Sequence, residues 1–202
     1  MIDLPHHVAE NRRHWDTTAD RWVASGERAW AQSTPTWGIW GVSNDDLPLL
    51  PKSLEGQRVI ELGCGTGYAI DNSAEQLVTA QRLADMYEIN DIEWVHGDAE
   101  AVLQPDESFD FALSEYGAAI WCEPRAWLTE AFRLLRPGGQ LVFLGHHPFA
   151  MVCSAPAGDG PVHRRLERPY FGLRQIDWTG ALEDPGGIEF NMPVGDWFAL
   201  FS

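Results

Sequence analysis

The sequence predicts an α/β fold with a mainly parallel sheet flanked by helices. Two observations lead to this prediction. Short apolar segments of strand length alternate with segments of helical spacing between residues 58 and 144, and the loops between them are short. The first of these strands runs directly into three glycines (VIELGCGTG), as expected where a ligand meets the carboxyl ends of parallel strands.

The elements of the N-terminal half follow in order. Residues 5–31 carry apolar side chains at helical spacing and predict helices, whereas residues 32–56 are rich in Pro and Gly and predict loops. Residues 58–62 form a short apolar strand that ends at the glycines. Residues 73–88 predict a helix, because Ser73 can cap its first turn.

The remaining elements complete the predicted sheet. Strands are expected at residues 92–96, 109–113 and 140–144. Pro124 opens the helix that precedes the last of these strands, since proline is tolerated in a first helical turn. Beyond residue 145 the periodicity weakens, and the apolar pieces are broken by Gly and Pro.

The composition excludes several classes of partner. The 14 basic and 30 acidic residues give a net charge of −16, which repels a phosphate backbone, so no nucleic-acid partner is expected. The chain has no apolar run of membrane-spanning length and its N-terminus has no apolar signal core, so no membrane association is expected. The three scattered cysteines predict reduced thiols and a cytoplasmic location. Nothing in the sequence indicates an obligate protein partner.

The glycine loop distinguishes between cofactors by its spacing. Gly63, Gly65 and Gly67 form the pattern GxGxG, preceded by Glu61. Dinucleotide-binding loops carry GxGxxG, in which the third glycine allows close helix packing, so a nicotinamide-dependent dehydrogenase is disfavoured. The segment ELGCGTG instead resembles the first motif of class I S-adenosylmethionine-dependent methyltransferases. Glycines at these positions let the backbone approach a ligand without a Cβ in the way.

Later segments resemble the same family in the same order. They are IDNSAEQL, GDAE, SFDFALSEYGA and RLLRPGGQLVF, and the resemblance covers roughly residues 10–150. It implies a Rossmann-like fold, S-adenosylmethionine as the cofactor, and methyl transfer to a small-molecule acceptor.

The resemblance also implies which residues bind the cofactor. Asp71 resembles the acidic residue that holds the ribose hydroxyls, and Asp98 lies in the loop that meets adenine. Trp15, Trp22 and Tyr116 offer aromatic faces that could help to hold the sulfonium cation. No metal site is expected. The implied cofactor-binding residues are Glu61, Gly63, Cys64, Gly65, Gly67, Asp71, Asp98, Ala99 and Ser114.

The chain departs from the family pattern directly after the glycines. Residues 59–71 span 13 positions, whereas a parallel βαβ unit needs about 30 residues. One crossover helix and one strand are therefore predicted to be missing, with Ala69 and Ile70 as the remnant of that strand. This shortening leaves an alternative function open, that of a non-catalytic relative that binds the cofactor weakly or not at all.

Two arrangements of the shortened sheet are possible. The elements can keep their family positions, which leaves a gap between the strands at residues 58–62 and 92–96. Alternatively, the helix at residues 73–88 becomes the crossover and the strand at 92–96 lies directly beside the first strand. Because unpaired buried ladder groups are unfavourable, the second arrangement is expected. In that case Asp71 and Asp98 cannot both act as the family uses them.

The catalytic residues are not fixed by the sequence. Glu115, Tyr116 and His146, with His147 beside it, follow strands at the expected pocket and could act as base or orient the acceptor. We expect one domain over residues 1–202, divided into three segments. These are an N-terminal helical cap (1–56), a cofactor-binding core (57–145) and an acceptor-side cover with an incomplete C-terminus (146–202). The aromatic character of the cover favours a small, partly apolar acceptor.

Overall fold

The computed structural model describes residues 4–67 and 69–202, and residues 1–3 of the predicted cap lie outside it. A 3-10 turn, Ala19–Trp22, joins the first two helices. The helices are α1 (His6–Thr18), α2 (Val23–Trp30), α3 (Ala74–Met86), α4 (Ala118–Trp121), α5 (Pro124–Leu134), α6 (Pro148–Val152) and α7 (Val194–Leu200). The strands are β1 (Thr36–Trp37), β2 (Val42–Ser43), β3 (Val59–Glu61), β4 (Ile70–Asp71), β5 (Val95–His96), β6 (Phe109–Glu115), β7 (Leu135–Leu144), β8 (Gln175–Asp177) and β9 (Ile188–Phe190).

The central sheet is parallel, as the sequence predicts. Strands β3, β6 and β7 form a three-stranded sheet in that order, with Ile60 opposite Ala112 and Ala112 opposite Leu141. Strands β4 and β5 form a second parallel pair, and a single parallel bridge between Leu62 and Ile70 links this pair to β3. The combined strand order is therefore β5, β4, β3, β6, β7, with helices packed against the sheet.

The expected arrangement of the shortened region is wrong. Strand β5 pairs with β4 and not with β3, so the elements keep their family positions. The reason is that the remnant strand fills the gap. The backbone N–H groups of Gly63 and Cys64 both donate to the carbonyl oxygen of Ile70, over 3.1 and 2.9 Å. These bonds pair backbone groups that a gap between β3 and β5 would have left unpaired. The reason for expecting β5 beside β3 is therefore removed.

The missing helix is confirmed, whereas the missing strand is present in a reduced form. Among the described residues no helix lies between β3 and β4, and β4 is two residues long. Asp71 ends β4, and Asp98 lies two residues beyond the end of β5. The two carboxylates therefore lie at the ends of neighbouring strands. The expectation that Asp71 and Asp98 cannot both act as the family uses them depended on β5 lying beside β3, so it does not apply to this strand order.

The main core lies between the sheet and α5. Trp127, Ala131 and Leu134 of α5 are fully buried against Ile60 and Ala112 of the sheet. As predicted, α5 opens at Pro124, and the side chain of the preceding residue caps its first turn. The following strand is longer than predicted, since β7 begins at Leu135 directly after the helix.

The N-terminal helix and the C-terminal segment close over the carboxyl ends of the strands. Strands β8 and β9 form an antiparallel pair that the sequence did not predict. The buried amide of Asn11 in α1 donates to the carbonyl oxygens of Trp121 (2.8 Å) and Ile188 (3.0 Å), and it accepts from the N–H of Ile188 (2.6 Å). These bonds join α1, α4 and β9. No helix among the described residues is long and apolar enough to cross a membrane.

Candidate functional site

The glycine loop lies between β3 and β4 and uses glycine for two different reasons. Gly63 has φ +73°, and a Cβ there would lie 2.5 Å from the backbone nitrogen of Ala118. Gly65 has φ +55°, but no atom lies within 4 Å of the place where its Cβ would stand. Gly63 therefore allows the loops after β3 and β6 to touch, whereas Gly65 presents an open backbone face.

The carboxylate of Asp71 holds this loop in place. It accepts the N–H of Gly65 and the N–H of Ser73, each over 2.7 Å. Burial raises the pKa of Asp71, and the two N–H donors act in the opposite direction. A carboxylate has about four lone-pair positions, so two remain for a ligand hydroxyl.

Asp98 lies two residues beyond the end of β5, whose His96 is the partner of Asp71 in the strand register. Its side chain accepts the N–H of Glu100 (2.9 Å), and burial raises the pKa of the carboxyl. The neighbouring Glu100 contacts His7 of α1 over 2.7 Å, and this contact raises the pKa of His7. Ala99, between the two carboxylates, is buried.

Four further residues of the implied set lie in or beside the glycine loop. A Cβ at Gly67 would lie 2.7 Å from Glu61 Oε2, so the Glu61 carboxylate lies against this glycine. Burial raises the pKa of the Cys64 thiol well above its usual value, which keeps the thiol protonated. The buried hydroxyl of Ser114 donates to the carbonyl oxygen of Leu62 (2.8 Å) and accepts from Ala119 (3.1 Å). Ser114 therefore joins the ends of two strands.

The donor and acceptor set of this rim fits an adenosyl ligand. Gly65 offers an open backbone face, and Asp71 and Asp98 offer carboxylates at adjacent strand ends. Carboxylates at such positions accept from ribose hydroxyls or an exocyclic amine. The net charge of −16 also favours a cationic sulfonium. Glu61, Gly63, Gly65, Asp71 and Asp98 are the residues that would hold it.

The aromatic candidates separate into two groups. The ring of Trp15 packs against Trp22 (5.5 Å between centroids) and Trp121 (5.1 Å), and Trp22 remains 42% exposed. The ring of Tyr116 lies 5.2 Å from the ring of His146, at the end of β7. Trp15 and Trp22 therefore form part of an aromatic cluster beneath α1, whereas Tyr116 lies beside a different group of side chains.

This second group contains the catalytic candidates. The carboxylate of Glu115 accepts the N–H of Gly38 (2.6 Å), and burial raises its pKa. Burial also raises the pKa of Tyr116. His146 Nδ1 lies 2.7 Å from Oε1 of the buried Glu189. His147 instead caps α6 by accepting the N–H of Phe149.

A cavity of about 140 Å³ adjoins His146. It is lined by Ala119, Ile120, Phe143, Gly145, His146, Asn191 and Trp197. Sequence reasoning found His146 but missed Glu189 and Asn191, both of which are buried. The available signal was the short apolar segment IEFN at residues 188–191, which pairs as a strand only through its contact with β8.

Comparisons with known proteins agree with this geometry. Residues 55–143 match the family described as Methyltransferase domain. A malonyl-[acyl-carrier protein] O-methyltransferase from Erwinia billingiae is 35% identical over 122 residues, which are 52% of this chain and 45% of the relative. A demethylmenaquinone methyltransferase from Clavibacter sepedonicus is 34% identical over 98 residues, which are 43% of this chain and 40% of the relative. The chain thus spans less than half the length of these curated relatives.

Solved structures show the same fold. An S-adenosylmethionine-dependent methyltransferase from Mesorhizobium loti aligns with a TM-score of 0.60 at 22% identity, over 76% of this chain and 75% of the other. A putative S-adenosylmethionine-dependent methyltransferase from Listeria monocytogenes aligns with a TM-score of 0.62 at 15% identity, over 76% and 75% of the two chains. The matching domain, the relatives and the Rossmann-like fold agree with the motifs found in the sequence. The chain is therefore similar to class I S-adenosylmethionine-dependent methyltransferases, over residues 55–143 in sequence and over 76% of its length in fold.

Proposed function

We propose that this protein transfers a methyl group from S-adenosylmethionine to a small-molecule acceptor. One observation carries the proposal, namely that the open Gly65 face and the carboxylates of Asp71 and Asp98 share one rim of the sheet. The cavity beside His146 lies at the end of β7, at the same edge of the sheet. Such an edge is where open α/β sheets bind their ligands.

Each site residue has a proposed role. Asp71 and Asp98 accept from the ribose hydroxyls and the adenine side of the cofactor, and Glu61 with the loop residues 63–67 surrounds its amino-acid portion. Ala99 and Ser114 keep the strand ends in position. Glu115, Tyr116 and His146 form the acceptor side. One of the relatives named above is a demethylmenaquinone methyltransferase, which supports a partly apolar acceptor.

Calorimetric titration of the full chain with S-adenosylmethionine tests cofactor binding. We expect saturable heat with one site per chain, and at least a tenfold loss of affinity for Gly65→Ala, because a methyl group would occupy the open face. Gly41→Ala is the matched control, since Gly41 also has a positive φ (+59°) and no atom within 4 Å of its Cβ position. It imposes similar backbone strain far from the loop. The absence of heat at millimolar ligand would refute the proposal.

A non-catalytic relative that retains weak cofactor binding is the second candidate. Two observations favour it. Two backbone N–H groups already donate to the Asp71 carboxylate, and no crossover helix lies between β3 and β4 among the described residues. Release of S-adenosylhomocysteine in the presence of a panel of apolar hydroxylated acceptors separates the two functions. Binding heat without product from any acceptor would support this candidate.

The cellular context is also a proposal. The three cysteines, Cys64, Cys122 and Cys153, are all free thiols, which supports a reducing compartment and hence the cytoplasm. The strong negative charge supports a small molecule over a nucleic acid as the partner.

A further inference from the structure

A buried carboxylate holds the imidazole of His146 at the edge of the apolar cavity. His146 Nδ1 lies 2.7 Å from Glu189 Oε1, and the Nε1–H of Trp178 donates to Glu189 Oε2 over 3.1 Å. The Glu189 side chain is 4% exposed, whereas that of His146 is 36% exposed. Both oxygens of this carboxylate therefore face ring nitrogens, and a carboxylate can only accept a hydrogen bond.

This contact fixes the tautomer of His146. Because Glu189 accepts at Nδ1, the proton of the neutral imidazole lies on Nδ1, and Nε2 keeps its lone pair. Across residues 4–67 and 69–202, no arginine or lysine lies within ion-pair distance of Glu189. The imidazole of His146 is therefore the side chain that lies within ion-pair distance of this buried carboxylate.

Of the other acceptor-side candidates, Tyr116 is less suited to take up a proton. Glu115 already accepts the N–H of Gly38, and Tyr116 holds its proton because burial raises its pKa. The titratable groups that face His146 are Glu189 from β9 and Tyr116 from the loop after β6. Helices α4 and α7 contribute apolar side chains to this region.

The cavity beside His146 has room for one compact ring, and its lining combines apolar and polar residues. Its volume of about 140 Å³ is close to that of a cavity known to hold benzene, roughly 150 Å³. Ile120, Phe143 and Trp197 supply its apolar surface. The amide of Asn191 donates to the carbonyl oxygen of His146 (2.9 Å) and so fixes the backbone at this edge.

We propose that Glu189 is a positioning residue that holds His146 as the proton acceptor for a hydroxyl group on a compact apolar ring bound in this cavity. The O–H proton moves to Nε2 of His146, and the electron pair of the broken O–H bond stays on the acceptor oxygen. The resulting imidazolium is paired with Glu189. Methylation of this oxygen rests on the proposed function, whereas the proton transfer is measurable without cofactor.

The test uses 4-nitrophenol as a probe of the full chain, at one pH unit below the pKa of the free phenol and without cofactor. We expect bound probe to show phenolate absorbance that saturates with protein. His146→Gln should abolish the phenolate signal. Glu189→Gln should lower the ratio of bound phenolate to phenol about tenfold, because the neutral amide replaces a charge-assisted hydrogen bond to the imidazolium with a weaker one.

The matched control is the exposed pair of His163 and Glu167, whose atoms lie 3.6 Å apart. His163→Gln should leave the signal unchanged. Bound but neutral 4-nitrophenol, no bound probe, or an unchanged ratio in Glu189→Gln would each overturn the inference.

A second measurement is needed if circular dichroism shows that Glu189→Gln does not fold. In that case ¹H–¹⁵N correlation spectra of the wild-type imidazoles decide, because a proton on Nε2 of neutral His146 contradicts the proposal. A phenolate signal without binding heat for S-adenosylmethionine would refute the proposed function alone.

Discussion

The two flanks of the central sheet are held together in different ways. On one side, β6 and β7 form a continuous ladder with five consecutive pairs, from Phe111 opposite Gln140 to Glu115 opposite Leu144. On the other, β4 and β5 share two pairs, and one bridge joins β4 to the rest. The long flank packs against α5, whereas the short flank lacks the crossover helix after the glycine loop.

On the short flank, where few hydrogen bonds join the strands, side-chain hydrogen bonds hold the two residues that follow β4. Asn72 donates to the carbonyl oxygen of Val8 in α1 (2.8 Å) and accepts from Arg12 Nε (2.9 Å). The Ser73 hydroxyl donates to Asp16 of the same helix (2.7 Å). A parallel strand of two residues is thus retained because the N-terminal helix and the glycine loop satisfy its polar groups. This flank carries Asp71 and Asp98, so the proposed cofactor site lies on the flank with fewer strand pairs.

The largest expected effect is on the long flank. Trp127 of α5 is fully buried, and Trp127→Ala should lower the free energy of unfolding by about 3–5 kcal/mol, through lost burial and an unfilled cavity. Phe132→Ala is the control on the same helix, because Phe132 is 82% exposed and should change stability by less than about 0.5 kcal/mol. Urea unfolding followed by circular dichroism measures both. Equal effects of the two substitutions would contradict the assignment of the core to this flank.

The sequence predicted the long flank better than the short one, for physical reasons. Helix α5 and strand β6 have clear periodicity, and Ser73 is confirmed as the cap of α3 by its bond to the N–H of Gln76. A strand of two residues has no periodicity, and its partner is decided by contacts distant in sequence. The pairing of β4 with β5 therefore could not be read from local pattern.

The same distinction applies to the site. The glycine loop is a local motif, and its residues were found in the sequence. Glu189 and His146 are in contact although 43 positions separate them in the sequence. Glu189 lies in β9, and neither β9 nor its partner β8 has a clear hydrophobic periodicity. No sequence motif identifies such a pair of residues. The pair is recognisable only in the structure, where β9 lies beside the end of β7.

A smaller effect is expected on the short flank from Asp71→Asn. Asparagine keeps one oxygen but replaces the other with an NH₂ group, which cannot accept the N–H of Gly65 or Ser73. We expect a loss of about 1–3 kcal/mol in the free energy of unfolding. The exposed Asp91→Asn serves as the control and should be close to neutral. A neutral Asp71→Asn would show that the carboxylate does not hold the loop, and that the short flank is maintained by α1 alone.

The smallest effect concerns the end of the long flank, where Glu115 meets the N-terminal segment. Burial raises the pKa of this carboxyl, and the N–H donated by Gly38 offsets the shift only in part. The folded chain therefore holds this proton to higher pH than the unfolded chain does. Its contribution to stability is fully present below the ordinary pKa of a glutamate and is lost as pH rises through the raised value.

Glu115→Gln removes this titration while keeping an oxygen for the N–H of Gly38. The difference in unfolding free energy between Glu115→Gln and the wild type should therefore grow in favour of the variant as pH rises from about 4 to 7. Glu55→Gln removes the same charge at an exposed position and corrects for the general repulsion in a chain of net charge −16. A difference that shrinks with rising pH would mean that Glu115 is stabilised as the anion, and a difference that matches Glu55→Gln would mean that burial does not shift its pKa. The end of the long flank would then differ from Asp71, whose pKa is raised by burial although its carboxylate accepts two backbone N–H groups.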